Sequence, residues 1–212
     1  MFEIEYKGAN TVNVSTKQGT VVVDPKLSLV GLKDASIAGA IVLLSEERFK
    51  PENTSTARLV IDSPGEFGVA AFDIKGIAAQ RHIDNTMEPF QSTIYRVEVG
   101  DVRIAILGNI TKDLSEEQYE EIGMVDIVIV PVGGSGYTLD AVDASKIVRQ
   151  IDPKVVIPVH YADSQLKYEV PQDSLDDFTK ELGAPLETVG KYKLKQASQL
   201  PQVMTIVVVE RS

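Results

Sequence analysis

The chain has 212 residues, 43% of them hydrophobic, which is enough to bury a sizeable core, and a net charge of −10 at pH 7. No segment concentrates Lys and Arg into a stripe that could follow a phosphate backbone, so we expect no nucleic-acid partner. The absence of cysteine excludes a disulfide framework, and no apolar run is long enough to cross a membrane. We expect a cytoplasmic protein with a single domain over residues 1–212 and no membrane contact.

The first half of the chain is predicted to form short strands that are rich in Val and Ile and separated by Gly, Asp and Pro. Gly100 and Asp101 predict a hairpin turn between the last two of these strands. The predicted strands cover residues 2–6, 12–15, 20–23, 40–44, 58–61, 69–77, 93–99 and 102–107.

The second half alternates predicted helices and strands. Ser115 and Gln118 form a capping-box pair, and Gly123 follows at a spacing typical of a helix end. Thr138 is expected to cap a second helix that Pro153 ends. A third helix is predicted over about residues 174–182, and strands over 126–132, 155–160 and 203–209. The strand–helix–strand order implies parallel pairing, and the whole pattern fits a layered α/β (α+β) sandwich.

Seven short motifs occur along the chain in a fixed order. Each motif alone is a weak signal of a protein family, but the ordered set is a strong one. Together they resemble the metallo-β-lactamase-fold hydrolases, and within them the zinc-dependent branch to which the ascorbate-6-phosphate lactonases are related. The resemblance covers nearly the whole chain and implies a four-layer αββα sandwich with one or two metal ions at the sheet edges. The motifs are Asp24-Pro25, Ser63-Pro64-Gly65-Glu66-Phe67, Ser92-Thr93-Ile94-Tyr95, Ile106-Leu107-Gly108-Asn109, Val130-Pro131-Val132-Gly133-Gly134, Tyr137-Thr138-Leu139-Asp140-Ala141 and Ile157-Pro158-Val159-His160-Tyr161.

The main metal-binding motif of that family is altered in this chain. The family has His-x-His-x-Asp-His after an apolar strand, and the matching segment here runs from Glu46 to Pro51. By the resemblance, Glu46 and Arg48 stand in place of the first two His. Lys50 stands in place of the Asp, and Pro51 in place of the last His.

Two further ligand positions are altered as well. Ala9 occupies the place of an early His, and Asn109 that of the Asp that bridges the metals in the family. Asparagine keeps a carbonyl oxygen but lacks the negative charge on which a bridge between two cations depends. Only His160 retains a family ligand, so the resemblance implies a degenerate metal site.

Zinc binding is therefore not expected, although zinc is the metal of the family. A two-zinc site built from imidazoles needs about four or five His plus carboxylates, and this chain has two His. A unit cation about 4 Å from another costs on the order of 4 kcal/mol at an effective dielectric constant near 20, and a divalent ion doubles that cost. We expect no cofactor, since Arg48 and Lys50 would repel a metal ion.

The orientation of these two cations stays open at this point. In one arrangement Arg48 and Lys50 point inward and are neutralised by nearby carboxylates, because buried charge without a partner is costly. In the other arrangement residues 46–51 form a solvated loop. The candidate carboxylates are Glu46, Glu47, Asp24 and Glu66.

Three other features have a functional and a structural interpretation, and the structural one is favoured for each. His160 is a candidate base or ligand, or a hydrogen-bonded histidine at a strand end. His82, near Asp84, is expected to be exposed. The segment 133–136 is a Gly-rich turn that could also cradle a phosphate, and its Ser135 would be a nucleophile only if it lies beside His160.

Two hypotheses on function follow. The first is a non-catalytic descendant of a hydrolase, a pseudoenzyme that serves as a binding or structural protein, with a protein or small-molecule partner and homo-oligomerisation left open. The alternative is a hydrolase of an ester, lactone or phosphoester with one divalent metal or none. Its hard metal ion would be held by Glu46, Glu66, Asp24 and His160. A nucleic-acid-processing role is least favoured.

Overall fold

Two β-sheets face each other in the computed structural model, which describes residues 1–83 and 91–212. The first sheet has six strands: β1 (Phe2–Gly8), β2 (Thr11–Ser15), β3 (Thr20–Val23), β4 (Ile41–Leu43), β5 (Leu59–Ile61) and β13 (Tyr192–Leu194). The second has eight: β6 (Gly65–Val69), β7 (Phe72–Ala79), β8 (Ser92–Val99), β9 (Val102–Ile106), β10 (Ile127–Pro131), β11 (Val155–Val159), β12 (Leu186–Val189) and β14 (Thr205–Val209). Their orders are β13-β1-β2-β3-β4-β5 and β12-β14-β11-β10-β9-β8-β7-β6.

Each sheet has an antiparallel half and a parallel half. In the first sheet β13, β1, β2 and β3 pair antiparallel, and β3, β4 and β5 pair parallel. In the second sheet β6 to β9 pair antiparallel, and β9, β10, β11, β14 and β12 pair parallel. The predicted parallel pairing of β10 with β11 is confirmed, with Ile127 opposite Val155. The carboxyl ends of parallel strands meet at one edge of a sheet, which is where loops can bring distant residues together.

The main core lies between the two sheets, and alternation along the strands decides which residues enter it. On β3, Val21 and Val23 point into this core, whereas Val22 belongs to a separate apolar cluster on the opposite face. That outer cluster is completed by Ile37, Phe49 and other residues of the connecting segments. Strand side chains alternate between faces with a period of two, so each sheet has two apolar faces to cover.

The three α-helices cover the outer face of the eight-stranded sheet. They are α1 (Glu116–Ile122), α2 (Ala141–Ile151) and α3 (Leu175–Leu182), and their buried residues join the sheet in a second core. Phe178 is the largest fully buried side chain that a helix contributes to that core. The predicted α/β two-sheet sandwich is confirmed, and in the described chain the six-stranded sheet is covered by 3₁₀ turns and loops.

Local sequence signals account for the helix ends. Ser115 and Gln118 form the predicted capping box, and Gly123 ends α1. The prediction that Thr138 caps α2 is wrong. Asp140 caps that helix by accepting a hydrogen bond from the Asp143 N–H, because a carboxylate two residues later in the chain reaches the free amides of the first turn.

Two strand predictions also need correction. Residues 69–77 are not one strand but the end of β6, a turn and most of β7, because Ala70 adopts a left-handed backbone conformation with φ 56°. The edge strands β12 and β13 were not predicted at all. Most of their residues are exposed or half-buried, so neither shows the apolar alternation by which strands are recognised. None of the helices in the described part of the chain is long and apolar enough to span a membrane.

Tyr95 joins the two sheets close to the edge where the parallel strands end. Its ring is fully buried on β8. Its hydroxyl lies 2.9 Å from the carbonyl oxygen of Leu44, directly after β4, and 3.0 Å from that of Ile61 at the end of β5. The neighbouring Thr93 N–H donates to the Ser45 carbonyl at 2.9 Å. These bonds fix the segment after β4 against the second sheet.

We expect Tyr95→Phe to lower the free energy of unfolding by about 1–2 kcal/mol, because two buried carbonyl oxygens lose their shared donor. Urea denaturation followed by circular dichroism measures the change. Tyr119→Phe is the matched control, since the Tyr119 hydroxyl has no hydrogen-bond partner within the described residues. Equal stability of the two variants would contradict the role given to the Tyr95 hydroxyl.

Candidate functional site

The carboxyl ends of strands from both sheets converge on one edge of the sandwich. Asp24 follows β3 and Glu46 comes shortly after β4 in the first sheet. In the second sheet Asn109 follows β9 and His160 follows β11. The turn between β1 and β2 adds Ala9 and Asn10 to the same region. The structure thus brings together four of the positions singled out from sequence, namely Ala9, Glu46, Asn109 and His160, with Arg48 beside them.

A chain of polar contacts crosses this edge. The Asn10 Nδ2 atom donates to Asn109 Oδ1 at 2.8 Å, and Asn109 Nδ2 donates to Glu46 Oε1 at 2.9 Å. The other carboxylate oxygen, Glu46 Oε2, lies 3.2 Å from Arg48 Nε and 3.7 Å from Arg81 Nη1. Glu46 is only 4% exposed. We refer to Asn10, Asn109, Glu46, Arg48 and Arg81 as the polar network.

The two cations that sequence could not place have different environments. Arg48 points inward: it pairs with Glu46, and its guanidinium lies 4.8 Å from the centre of the Phe49 ring and 5.5 Å from that of Tyr137. Lys50 lies at the surface, where it pairs with Asp62 at 3.1 Å. The internal ion pair is therefore present for Arg48 and absent for Lys50.

The metal centre implied by the resemblance does not fit the residues present. Both oxygens of Glu46 already face protein donors, and both oxygens of Asp24 accept hydrogen bonds from Ser45, at 2.7 Å from its N–H and 2.6 Å from its hydroxyl. Glu66 is exposed on β6 and lines a different surface groove. The chain outside residues 84–90 holds no group of three or more His, Cys, Asp or Glu side chains arranged for a metal ion.

Asp24 is a buried carboxyl group next to the polar network. Its pKa is raised from the ordinary 3.8 to about 7, chiefly because burial disfavours the charged form, while the two hydrogen bonds from Ser45 act in the opposite direction. The negative charge of Glu46 raises the pKa of Asp24 further, and the positive charge of Arg48 lowers it.

His160 is held as a neutral ring at the end of β11. Its Nδ1 lies 3.0 Å from Gln172 Oε1, and Gln172 Nε2 donates to the Val170 carbonyl at 2.9 Å, so the Gln172 oxygen acts as acceptor and His160 Nδ1 carries the proton. Burial lowers the pKa of His160 to about 4. The ring centre lies 4.9 Å from that of Tyr168. This geometry is that of a hydrogen-bonded histidine at a strand end.

Three of the six described non-glycine residues with a positive φ lie at this edge. Ala9, Asp24 and His160 have φ angles of 47°, 46° and 54°, in the left-handed region that residues other than glycine rarely adopt. Each such residue costs on the order of 1–3 kcal/mol, and strain of this kind is typical of binding and active sites.

Within the part of the chain that the structure describes, the remaining sequence candidates do not form a catalytic group. His82 is half-buried rather than exposed, because its N–H donates to the Asn109 carbonyl at 2.9 Å and draws it toward the sheet edge; Asp84 lies outside the described residues. The Gly-rich turn serves packing, since a Cβ at Gly133 would collide with the His160 carbonyl and with Gln172. Ser135 is exposed and makes no hydrogen bond with His160 in the described structure.

A cavity of about 200 Å³ borders the polar network. Arg48 and His160 reach it from opposite sheets, and Tyr137 and Tyr168 are part of its wall. Sequence reasoning did not single out the residues that complete it, because none belongs to a metal-ligand pattern. The one signal was the position of Asn10 directly after Ala9. These unpredicted lining residues are Asn10, Lys26, Tyr168 and Gln172.

We expect Asn109→Asp to lower the free energy of unfolding by about 1–3 kcal/mol at pH 7. The new carboxylate would face Glu46 and would no longer supply the amide donor that Glu46 uses. Thermal denaturation measures the change, with Asn53→Asp as the control, because the exposed Asn53 uses its side-chain oxygen only as an acceptor. This account of the network would be contradicted if the Asn109→Asp variant were as stable as the native chain, or if added zinc restored its lost stability.

Asp24→Asn is expected to gain stability relative to the native chain as pH rises from about 4 to about 7. The pKa of Asp24 is higher in the folded state, so its favourable contribution is complete below about pH 4 and is lost as pH rises through 7. His160, whose pKa is lowered, contributes with the opposite slope, but it is present in both proteins and cancels in the difference. Urea denaturation at pH 4.5 and 7.5 measures the two differences; a constant difference would refute the buried neutral carboxyl group.

Comparisons with known proteins agree with this architecture. A solved structure from Thermotoga maritima, assigned to the zinc-dependent hydrolases of the metallo-β-lactamase superfamily, is 26% identical and superposes with a TM-score of 0.77 over 99% of this chain and 100% of that one. Igni18, a metallo hydrolase from Ignicoccus hospitalis, shares the fold at 14% identity, with a TM-score of 0.67 over 99% of this chain and 95% of that one.

Sequence comparison gives the family. A UPF0173 metal-dependent hydrolase from Carboxydothermus hydrogenoformans is 49% identical over 41 residues, a match that spans 19% of this chain and 18% of that protein. The family model described as beta-lactamase superfamily domain matches residues 3–160, well over half of the chain. With this match, the two-sheet sandwich and the position of the polar network at its edge, the chain belongs to the beta-lactamase superfamily.

Proposed function

We propose that this chain is a metal-free, non-catalytic member of its superfamily that serves as a binding or structural protein. The observation that carries the proposal is the contact set of Glu46. This residue stands at a family ligand position, and its carboxylate is engaged by Asn109 on one oxygen and by Arg48 on the other. To ligate a metal, this buried carboxylate would have to place the ion next to the Arg48 guanidinium or give up its contacts with Asn109 and Arg48.

Electrostatics favour the same conclusion. The charged groups of the polar network are one carboxylate, on Glu46, and two guanidinium groups, on Arg48 and Arg81. A divalent cation about 4 Å from a guanidinium would be repelled by about 8 kcal/mol at an effective dielectric constant near 20. The negative charge of Glu46 is already paired with Arg48, so the contact between these two residues disfavours zinc.

Hydrolysis without a metal has little support in the geometry. His160 is neutral at pH 7, but a pKa of about 4 makes it a weak general base at that pH. No described hydrogen bond joins it to a serine, threonine or carboxylate that could act with it as nucleophile or orienting group. Two described carboxyl groups line the cavity with His160, and both are engaged elsewhere: Asp24 accepts from Ser45, and Glu169 accepts from the Tyr137 hydroxyl.

Metal analysis tests the proposal directly. We expect protein purified from zinc-supplemented medium to contain less than about 0.1 zinc per chain by elemental analysis. We also expect EDTA to leave its melting temperature unchanged, because the described residues provide no ligand set through which metal binding could stabilise the fold.

A variant with restored ligand types is the matched positive control. Ala9→His, Glu46→His, Arg48→His and Asn109→Asp together supply three additional imidazoles and one carboxylate beside His160. This variant is expected to bind zinc and to melt at a higher temperature when zinc is added. Stoichiometric zinc in the native chain that EDTA removes with a loss of stability would overturn the proposed function.

A further inference from the structure

The cavity beside the polar network contains a buried acceptor that the protein leaves unused. Asn10 is only 4% exposed and lines the cavity, and its Oδ1 atom has no hydrogen-bond partner among the described residues. Its Nδ2 atom is fixed by Asn109, so the side chain cannot turn to hide the oxygen. Buried polar atoms are nearly always paired, and an unpaired one in a residue that lines a cavity indicates a missing donor.

His160 offers a second acceptor to the same cavity. Its Nδ1–H is engaged by Gln172, so the lone pair of Nε2 is available, and Nε2 has no described partner. The Ala9 carbonyl accepts the His160 N–H at 3.0 Å, which keeps the ring next to the turn that bears Asn10. The two acceptors therefore require a ligand that carries an O–H or N–H group.

Donors with positive charge reach the cavity as well. Lys26 lines it and has no hydrogen bond or ion pair within residues 1–83 and 91–212. Arg48 approaches Glu46 most closely through Nε, so its terminal nitrogens are not required for that pair. The rings of Phe49 and Tyr137 lie against the guanidinium and limit its movement. A planar guanidinium held in this way matches a carboxylate.

Nearby negative charges limit the charge of the ligand. Glu169 and Asp24 also line the cavity, and Glu169 accepts a hydrogen bond from the Tyr137 hydroxyl at 2.6 Å. Glu46 lies behind the cavity wall, where it pairs with Arg48. Three carboxyl groups disfavour a dianion such as a phosphate monoester more than a monoanion. The rest of the wall is apolar and is formed by Leu27, Leu29, Val30, Phe49 and Val170.

We propose that this cavity binds a small apolar monocarboxylate that carries an O–H or N–H donor next to the carboxylate. The carboxylate contacts Arg48 and Lys26, the donor contacts Asn10 Oδ1 or His160 Nε2, and the apolar body packs on the aliphatic wall. A volume of about 200 Å³ accommodates roughly a dozen water-sized probes, which suits an acid of about ten non-hydrogen atoms. The inference rests on the proposed function, because a bound metal would occupy His160.

A matched series of three small molecules tests the assignment by calorimetry in buffer that contains EDTA. The probe is 2-hydroxy-4-methylpentanoate. Its methyl ester lacks the charge, and 4-methylpentanoate lacks the hydroxyl group. We expect the hydroxy acid to bind at least about tenfold more tightly than either analogue, because each analogue leaves one set of polar groups in the cavity without a partner.

Two variants test the position of the site. Lys26→Met is expected to weaken binding of the hydroxy acid about fivefold or more, whereas Lys17→Met, in the exposed turn between β2 and β3, leaves binding unchanged. Arg48→Met is expected to abolish binding. Because Arg48 also pairs with Glu46, this variant could lose its fold, so its circular dichroism spectrum is compared with that of the native chain. If the variant does not fold, Lys26→Met and the ligand series provide the test.

The outcomes separate this site from the proposed function. Absence of binding by zinc-free protein, equal binding of the hydroxy acid and its ester, or tighter binding of 2-methylpropyl phosphate would overturn the carboxylate site and leave the metal-free assignment intact. Stoichiometric zinc in the purified chain would instead overturn the proposed function.

Discussion

Glu46 is the residue on which the organisation of the site depends. Its carboxylate is almost fully removed from solvent, and a buried charge without partners costs several kcal/mol. Three segments supply the compensation: Asn109 after β9, Arg81 after β7, and Arg48 in the turn that follows Glu46 itself. Asn109 can present its amide to Glu46 because its own oxygen accepts from Asn10. Replacement of any one member leaves a buried group without its partner, so the positions act as a unit.

The precision of this unit comes from how closely the two sheets approach at their common edge. Gly108 has φ 66°, and a Cβ there would lie only 2.9 Å from the Ser45 Cβ. Glycine is therefore required on both conformational and steric grounds, and it allows the backbone before Asn109 to lie against the segment that bears Glu46. The hydrogen bonds of Tyr95 and Thr93 to that segment come from the same sheet. The fold thus sets the distance between the two halves of the network before their side chains interact.

Much of the fold could be predicted from sequence because its signals are local. Alternating Val and Ile residues located most central strands, a capping box located α1, and apolar residues at helical spacing located α3. The edge strands β12 and β13 could not be recognised, because they bury too few side chains to leave an apolar pattern. The turn at Ala70 was hidden by apolar residues on both sides of it.

The candidate site was predictable only as a set of altered positions. The resemblance indicated Ala9, Glu46 and Asn109, but the contacts among network members join residues 63 and 99 positions apart, which no local pattern encodes. Arg48 and Lys50 carry the same charge two positions apart, yet one enters the site and the other reaches Asp62 at the surface. The short 3₁₀ turn Glu47–Phe49 decides which side chain faces inward, and this turn cannot be inferred from the charges of the residues.

The composition of the site is not explained by stability alone. A buried ion pair is often no more stabilising than apolar residues of the same volume, and three left-handed residues together with an unpaired amide oxygen reduce stability further. The core between the two sheets supplies enough apolar burial to tolerate these losses, and it contains no comparable strain among the described residues. Unfavourable features that gather around one cavity of a well-packed protein are typical of a preorganised binding site.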